Sequence, residues 1–172
     1  MTSYPRGNGP IEWGTPDHIF DALDEIYEFD LDPCAGKALY AKCGTHFTPH
    51  EDGLKQPWHG RVFLNPPYGR HLKYWMEKAS LELRRGNAEI VVALIPASIG
   101  TLWFHEYVYP HISKIIFVRG RISFIDLDGT KNAVSANHDS IILELSSNAN
   151  IFGRMRANIV IDAKTGKVNL GV

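Results

Sequence analysis

The apolar run at residues 90–95 constrains the fold more than any other feature of this chain. It reads Ile-Val-Val-Ala-Leu-Ile and contains no polar residue. A run of this kind is typical of a β-strand that is covered on both faces, as in a parallel sheet whose connections are helices. The run therefore predicts an α/β domain in which other strands flank this one and helices cover both faces of the sheet.

Apolar residues at helical spacing predict two amphipathic helices. The first is expected to begin at Thr15 and Pro16, as a hydroxyl N-cap followed by proline at the first helical position. The second is expected to end near Gly86. The apolar positions are Ile19, Phe20, Leu23, Ile26 and Tyr27 in the first helix, and Leu72, Trp75, Met76, Ala79 and Leu83 in the second.

The remaining stretches complete the predicted organisation of a single domain over residues 1–172. A Gly/Pro-rich arm at residues 1–10 is expected to be loose. Residues 34–58 lack periodicity and are predicted to be mostly loop, as is the polar segment at residues 119–139. Strands are predicted at residues 29–32, 61–64, 89–96, 115–118 and 140–145, a helical stretch at residues 101–109, and a hairpin at residues 156–172.

Charge and cysteine content narrow the class of protein. The 172 residues carry a formal net charge of −1, so no global basic field indicates nucleic acid, while a local basic groove stays compatible with this value. Cys34 and Cys43 are too few for a disulfide framework. The sequence shows neither a signal-peptide core nor an apolar run long enough to span a bilayer, so we expect a soluble cytoplasmic protein.

Three polar, proline-marked segments follow predicted strands. They are residues 32–33 (Asp-Pro), residues 65–68 (Asn-Pro-Pro-Tyr) and residues 96–98 (Pro-Ala-Ser). Ligands of open α/β sheets bind outside the carboxyl ends of the strands. We therefore expect these segments to form one pocket at one edge of the sheet.

The motif at residues 65–68 has the chemistry needed to hold a planar amine. The side-chain oxygen of Asn65 and the backbone oxygen of Pro66 can accept the two N–H bonds of an exocyclic amine and aim its lone pair at a methyl donor. Pro66 and Pro67 fix their own φ angles, and proline disfavours helical backbone in the residue before it. Tyr68 can stack on the ring. The motif predicts amine methylation, and the alternative is a simple turn after a strand.

A nucleobase inside a duplex cannot reach such a pocket unless it is flipped out of the stack. Phe124 and Trp75 are candidate aromatic residues that would help to hold the flipped base.

Several segments resemble the DNA N6-adenine methyltransferases of phages and prophages, the Dam-like group. The resemblance covers most of the chain between Trp13 and Leu145. The matching segments are residues 13–16 (Trp-Gly-Thr-Pro), 29–35 (Phe-Asp-Leu-Asp-Pro-Cys-Ala), 52–54 (Asp-Gly-Leu) with Trp58, 62–68 (Val-Phe-Leu-Asn-Pro-Pro-Tyr), 94–97 (Leu-Ile-Pro-Ala), Thr101 with Trp103 and Phe104, and 120–124 (Gly-Arg-Ile-Ser-Phe).

This resemblance implies a Rossmann-like methyltransferase sheet, S-adenosylmethionine as the methyl donor, no metal, and DNA as the partner. It also implies roles for individual residues. The implied catalytic residues are Asn65, Pro66, Pro67 and Tyr68; the implied cofactor-binding residues are Trp13, Thr15, Pro16, Asp32, Pro33, Cys34, Ala35, Asp52, Leu54 and Asn65; the implied substrate-binding residues are Tyr68, Arg121 and Phe124.

The chain departs from the family pattern between Asp32 and Asn65. Gly36 alone stands where a glycine-rich sequence is usual, and the stretch is too short for two further strand–helix units. We therefore expect a sheet that is reduced by one or two strands. The residues at 119–139, which include Arg121, Lys131, Asn132, Asn137 and His138, are the candidate target-contact segment.

Alternatives to DNA adenine methylation stay open at the level of the residues. The same motif would fit the amine of adenine in RNA, the N4 of cytosine or a protein glutamine amide, and a catalytically silent nucleic-acid-binding module would keep the same fold. A C-x8-C-x2-H-x3-H pattern, formed by Cys34, Cys43, His46 and His50, has an unusual spacing for zinc. Its alternative is two small buried thiols and two surface histidines.

Overall fold

The computed structural model describes residues 13–126, 134–135, 138–147 and 159–170. The predicted arm at residues 1–10 lies outside this range. The elements of the first half are β1 (Trp13–Gly14), α1 (Asp17–Tyr27), β2 (Leu31–Asp32), a 3-10 helix (Ala38–Tyr40), β3 (Thr45–His46), β4 (Gly60–Leu64), α2 (Leu72–Arg84) and β5 (Ala88–Pro96). The second half has a π-helix (Phe104–Val108), a 3-10 helix (Tyr109–His111), β6 (Ile112–Arg119), β7 (Ser123–Asp126), β8 (Val134–Ser135), β9 (Ser140–Ser146), β10 (Ile159–Asp162) and β11 (Val168–Leu170).

The main sheet has eight strands in the described residues, in the order β11-β10-β6-β9-β5-β4-β2-β3. Strands β3, β2, β4 and β5 are parallel to one another. Strand β9 lies antiparallel between β5 and β6, β10 is parallel to β6, and β11 is antiparallel to β10. The sheet is therefore mostly parallel, which confirms the predicted Rossmann-like α/β fold.

Side-chain alternation along the central strands divides the core into two layers. In β4, Val62 and Leu64 pack on the side of α2, while Phe63 packs on the side of α1. Strand β5 alternates in the same way, with Val91 on the α2 side and Val92 on the α1 side. Because each face of a central strand is covered, a continuous apolar run is stable there. Helices cover both faces, as predicted.

The helices follow the predicted pattern with two differences. Helix α1 begins one residue after Pro16, whose carbonyl oxygen accepts hydrogen bonds from the N–H groups of Ile19 (3.0 Å) and Phe20 (3.1 Å). Thr15 is not the N-cap, because its hydroxyl is engaged elsewhere. Ile26 was predicted on the buried face but is 44 % exposed. No helix in the described part of the chain is long and apolar enough to cross a membrane.

The stretch between β2 and β4 is mostly loop, as predicted. It contains only a 3-10 helix and the two-residue edge strand β3, so the strands on this side of the sheet are short. The expected loss of one or two strands stays a prediction, since the described sheet has eight strands. The loop is nevertheless packed closely against the end of β2. A Cβ atom on Gly53 would lie 1.9 Å from the carbonyl oxygen of Pro33, and the indole N–H of Trp58 donates to the Gly53 carbonyl oxygen at 2.8 Å.

The segment at residues 119–139 is not a loop throughout. It contains β7 and β8, which form a second, three-stranded sheet with β1 in the order β1-β7-β8. The prediction failed because β7 pairs with Trp13 and Gly14, more than one hundred residues away in sequence, and strands of two to four residues leave little local signal. Ile122 and Phe124 are buried beside α1. Lys131, Asn132 and Asn137 lie outside the described residues.

Candidate active site

The strand order creates a crevice between the carboxyl ends of β2 and β4. From β2 the chain passes to β3 on one side, whereas from the neighbouring strand β4 it passes to β5 on the other side. Connections that leave neighbouring parallel strands in opposite directions open a crevice at their carboxyl ends, where ligands of such sheets bind. Asp32 ends β2 and Asn65 follows β4, so the fold brings together two of the three segments that the sequence singled out. The third segment, residues 96–98 at the end of β5, lines neither of the two clefts described next.

Two adjoining clefts occupy this crevice. The first encloses about 400 Å³, including the part that is open to solvent, and the second about 300 Å³ on the same measure. They share Cys34, Gly36 and Pro67. The first is also lined by Gly14, Thr15, Asp32, Ala35, Tyr40, Lys42, Phe63 and Asn65. The second is also lined by Pro33, Phe47, Thr48, Pro49, Asp52, Gly53 and Trp75.

Asp32 is a buried carboxylate in the first cleft. Its residue surface is 3 % exposed, and its side chain accepts hydrogen bonds from the backbone N–H groups of Cys34 (3.1 Å) and Lys42 (3.3 Å). Burial raises the pKa of Asp32 to about 6, and these two N–H groups oppose the shift. The ammonium of Lys42 binds Asp17. A cation placed in the cleft would therefore stabilise the ionised form of Asp32.

The side chain of Asn65 is held by Thr15. The amide nitrogen of Asn65 donates to the Thr15 hydroxyl at 2.9 Å, and Thr15 is itself buried. Because the amide nitrogen faces Thr15, the side-chain oxygen of Asn65 lies on the other side of the amide group. This oxygen has two lone pairs that can accept hydrogen bonds. It also accounts for the missing N-cap, because the Thr15 hydroxyl points to the motif.

Pro66 and Pro67 are buried, and Pro67 lines both clefts. The ring of Tyr68 contacts the ring of Phe124 edge-on, with centroids 6.0 Å apart and planes at 84°. The Tyr68 hydroxyl is buried without a hydrogen bond of ordinary geometry to the described residues. Burial raises the pKa of Tyr68, and nearby Ser140 opposes the shift, so the phenol stays neutral at physiological pH.

The small sheet connects to the motif from two sides. Strand β1 leads directly into Thr15, which holds Asn65, and β7 carries Phe124, which supports Tyr68. Phe124 is only 1 % exposed, so the structure places it behind Tyr68 rather than in a position to contact a base itself. Pairing of β1 with β7 thus fixes both ends of the motif.

The other predicted residues differ in their surroundings, and not all of them line the two clefts. Asp52 lines the second cleft and pairs with Lys55 at 2.8 Å. Leu54 is partly buried and packs against the core layer on the α2 side of the sheet. Arg121 is exposed, and its Nε atom lies 3.8 Å from Oδ1 of Asp139. Trp75 was a candidate for holding a base, but it is 4 % exposed and stacks on Trp58, so it belongs to the core wall of the second cleft.

Sequence reasoning missed Tyr40, Lys42 and Phe47 as lining residues. They lie in the loop between β2 and β4, and no periodic pattern marks them. The backbone of this loop is tied to Asp32, since the N–H of Phe47 donates to the Asp32 carbonyl oxygen at 3.0 Å. Only this long-range pairing reveals their position.

The possible zinc pattern does not assemble in the described residues, where no group of three or more His, Cys, Asp and Glu side chains could hold a metal ion. Cys43 is buried, and burial raises the pKa of its thiol to about 12. His46 Nδ1 lies 3.2 Å from the Cys43 carbonyl oxygen. Cys43 and His46 therefore interact with the protein's own backbone and core.

A family model described as DNA N-6-adenine-methyltransferase (Dam) matches residues 9–164. This chain belongs to the Dam family. Membership of a methyltransferase family implies S-adenosylmethionine as the donor of the methyl group. No curated protein matches the chain. Among solved structures, the chain is similar to the Type IIL restriction-modification enzyme MmeI in complex with DNA, with a TM-score of 0.47 and 12 % identity over 77 % of this chain. This Dam-family chain spans only 22 % of the length of that enzyme's chain.

The raised pKa of Asp32 predicts a specific pH dependence of stability. Between pH 4 and 6 the folded state retains a proton on Asp32 that the unfolded state has lost, so this group lowers the free energy of unfolding as pH rises. Relative to the variant Asp32→Asn, the parent should lose about 2–3 kcal/mol between pH 4 and pH 7. Urea unfolding at each pH measures this difference.

Asp30→Asn is the matched control, because hydrogen bonds from Arg61 lower the pKa of Asp30. The parent should gain stability relative to this variant as pH rises through the acidic range. If the two differences have the same sign, Asp32 is not buried as described.

Proposed function

We propose that this chain transfers a methyl group from S-adenosylmethionine to the exocyclic N6 of an adenine that is flipped out of DNA. The observation that carries the proposal is the position of the Asn-Pro-Pro-Tyr motif. It follows β4 at the switch point of the sheet, and its Asn65 side chain is held by Thr15 beside the cleft that contains Asp32.

The two clefts fit the chemistry of the donor. The methionine part of S-adenosylmethionine carries an ammonium group, and Asp32 is a buried anion that lacks a full counter-charge. The second cleft combines an aromatic wall with the Asp52 carboxylate, a combination that suits the adenine part. When bound, the donor supplies an electrophilic methyl group on a sulfonium.

The residues around the clefts would hold the donor in distinct ways. The turn at residues 33–35 would contact the donor between its methionine part and its adenine part, and Leu54 would pack near the adenine part. The segment at residues 13–16, from β1 to the start of α1, would cover the methionine part. Asn65 would lie beside the transferred methyl group.

Asn65 and Pro66 would act on the amine of the target base. The Asn65 side-chain oxygen and the Pro66 carbonyl oxygen would each accept one N–H, which draws the nitrogen towards tetrahedral geometry and directs its lone pair. Pro66 and Pro67 hold these acceptors in place because their φ angles are fixed. Catalysis would come from alignment and from dipoles that are oriented before the reaction.

Tyr68 would stack on the flipped base as a neutral phenol. Base–aromatic stacking contributes about 1–3 kcal/mol per base in other complexes. Phe124 would contribute by holding the Tyr68 ring at its angle. Such a pocket can accept a base only after the base leaves the duplex.

Arg121 is the proposed phosphate contact. Its ion pair with Asp139 is exposed and long, so it contributes little to stability and Arg121 can exchange this partner for a phosphate. Asp139 lies at the end of β5, because its carbonyl oxygen accepts a hydrogen bond from the Ala97 N–H at 2.9 Å. A DNA substrate and two cysteines that are not joined in a disulfide, Cys34 and Cys43, agree with a cytoplasmic location.

The activity is tested by incubating the purified protein with labelled S-adenosylmethionine and unmethylated plasmid DNA, followed by nucleoside analysis. We expect N6-methyladenine as the labelled product. Labelled N4-methylcytosine would contradict the choice of base. Labelling of RNA or of protein glutamine without labelling of DNA would contradict the choice of substrate, and the absence of any product would point to the silent binding module.

The roles of Asn65 and Thr15 predict a graded loss of activity. Asn65→Ala should lower the rate by about a hundredfold or more, because it removes a dipole aimed at the reacting nitrogen. Thr15→Val should lower it about five- to tenfold, because it removes one hydrogen bond that orients this dipole. Initial rates of methyl transfer to DNA measure both effects.

The control is Thr45→Val, at an exposed threonine on the edge strand β3, which should keep the parental rate. Calorimetry should show that Asn65→Ala still binds the donor. Parental activity in Asn65→Ala would remove Asn65 from the catalytic residues.

A further inference from the structure

The projection, residues 97–102, follows β5 at the same edge of the sheet as the motif, which follows the parallel neighbour β4. Strand β4 ends at Leu64, which pairs with Ala93, whereas β5 continues to Pro96. The chain therefore leaves β5 further along the strand direction than it leaves β4. Residues 97–100 are all exposed.

This segment presents two large apolar side chains to solvent. Ile99 is 57 % exposed and Leu102 is 73 % exposed. No charged residue occurs between Ala97 and Phe104. Single exposed apolar residues are common on protein surfaces, but two of them close together on an uncharged projection beside a catalytic motif are suited to contact an apolar partner.

The projection is held by hydrogen bonds on the side of the π-helix. Thr101 donates to the Ser98 carbonyl oxygen from both its hydroxyl (2.9 Å) and its N–H (3.3 Å). The N–H of Phe104 donates to the Thr101 carbonyl oxygen at 3.1 Å, and the Phe104 side chain is buried against α2. A fixed turn loses little conformational entropy when it enters a confined space.

We propose that Ile99 and Leu102 enter the base stack of DNA and fill the space that the target adenine leaves when it is flipped. This inference rests on the proposed function. Apolar side chains that insert between base steps stabilise an unstacked duplex by restoring contacts with the neighbouring bases. The gap and the pocket must lie side by side. The projection follows β5 and the motif follows the neighbouring parallel strand β4, so both leave the same edge of the sheet from adjacent strands.

Positive charges on both sides of the projection favour DNA as its partner. Arg70 is exposed on the turn that follows the motif after β4, and Arg121 is exposed in the segment that follows β6. In the sheet, β4 and β6 lie on opposite sides of β5. Ile99 and Leu102 would contact the stacked bases, while Arg70 and Arg121 would each contact one of the two phosphate backbones on either side of the stack.

The double variant Ile99→Ala with Leu102→Ala tests the inference on two forms of the same plasmid DNA. On duplex DNA its rate of methyl transfer should fall about tenfold or more, because the flipped state loses the side chains that stabilise it. On heat-denatured DNA its rate should stay within about twofold of the parent, because a single-stranded base needs no flipping. Tritium transfer from S-adenosylmethionine measures both rates.

Ile26→Ala is the matched control. Ile26 is an exposed isoleucine near the end of α1 that leads to the amino end of β2, away from the site. This variant should match the parent on both DNAs, and all the variants should keep the parental unfolding midpoint.

The outcomes separate this inference from the proposed function. Undiminished transfer to duplex DNA by the double variant, or an equal loss on both DNAs, would overturn the inference. In either case, activity of the parent protein would still support the proposed methyltransferase function. A parent that methylates neither DNA would overturn the proposed function and the inference together.

Discussion

The hydrogen bonds to the buried Asp32 carboxylate determine the shape of the candidate active site. A buried carboxylate is unfavourable unless N–H groups satisfy its oxygens, and here they come from Cys34 and Lys42. The first bond closes the turn after β2. The second brings the chain back to the end of the strand ten residues later. The loop that forms both clefts is therefore organised around one side chain whose pKa burial raises to about 6.

The second organising contact joins parts of the chain that are distant in sequence. Thr15 holds the Asn65 amide, and Phe124 supports the Tyr68 ring. Pairing of β1 with β7 brings Thr15 and Phe124 to the motif from parts of the chain that are far apart in sequence. The motif alone supplies the chemical groups, and the small sheet gives them a fixed orientation. This explains how a chain whose strands β2 and β3 have only two residues each retains an ordered site.

The sequence predicted the elements whose signals are local. Strand β5 and helix α2 were predicted nearly to their ends because a continuous apolar run and a helical spacing are properties of neighbouring residues. The meeting of Asp32 with the motif followed from the rule for strand ends. In contrast, the hydrogen bond from Asn65 to Thr15, the strand β7 and the lining residue Lys42 depend on pairing across long distances in sequence. No local pattern encodes these features.

The account is tested most directly by locating the donor in solution. Backbone amide NMR spectra of the protein, recorded during titration with S-adenosylhomocysteine, report which N–H groups sense the ligand. The largest shifts should occur at Cys34 and Lys42, whose N–H groups bind Asp32, with further shifts near Asp52 in the second cleft. Unchanged Cys34 and Lys42 signals, with the largest shifts at the turn between β10 and β11, would contradict the placement of the donor at Asp32.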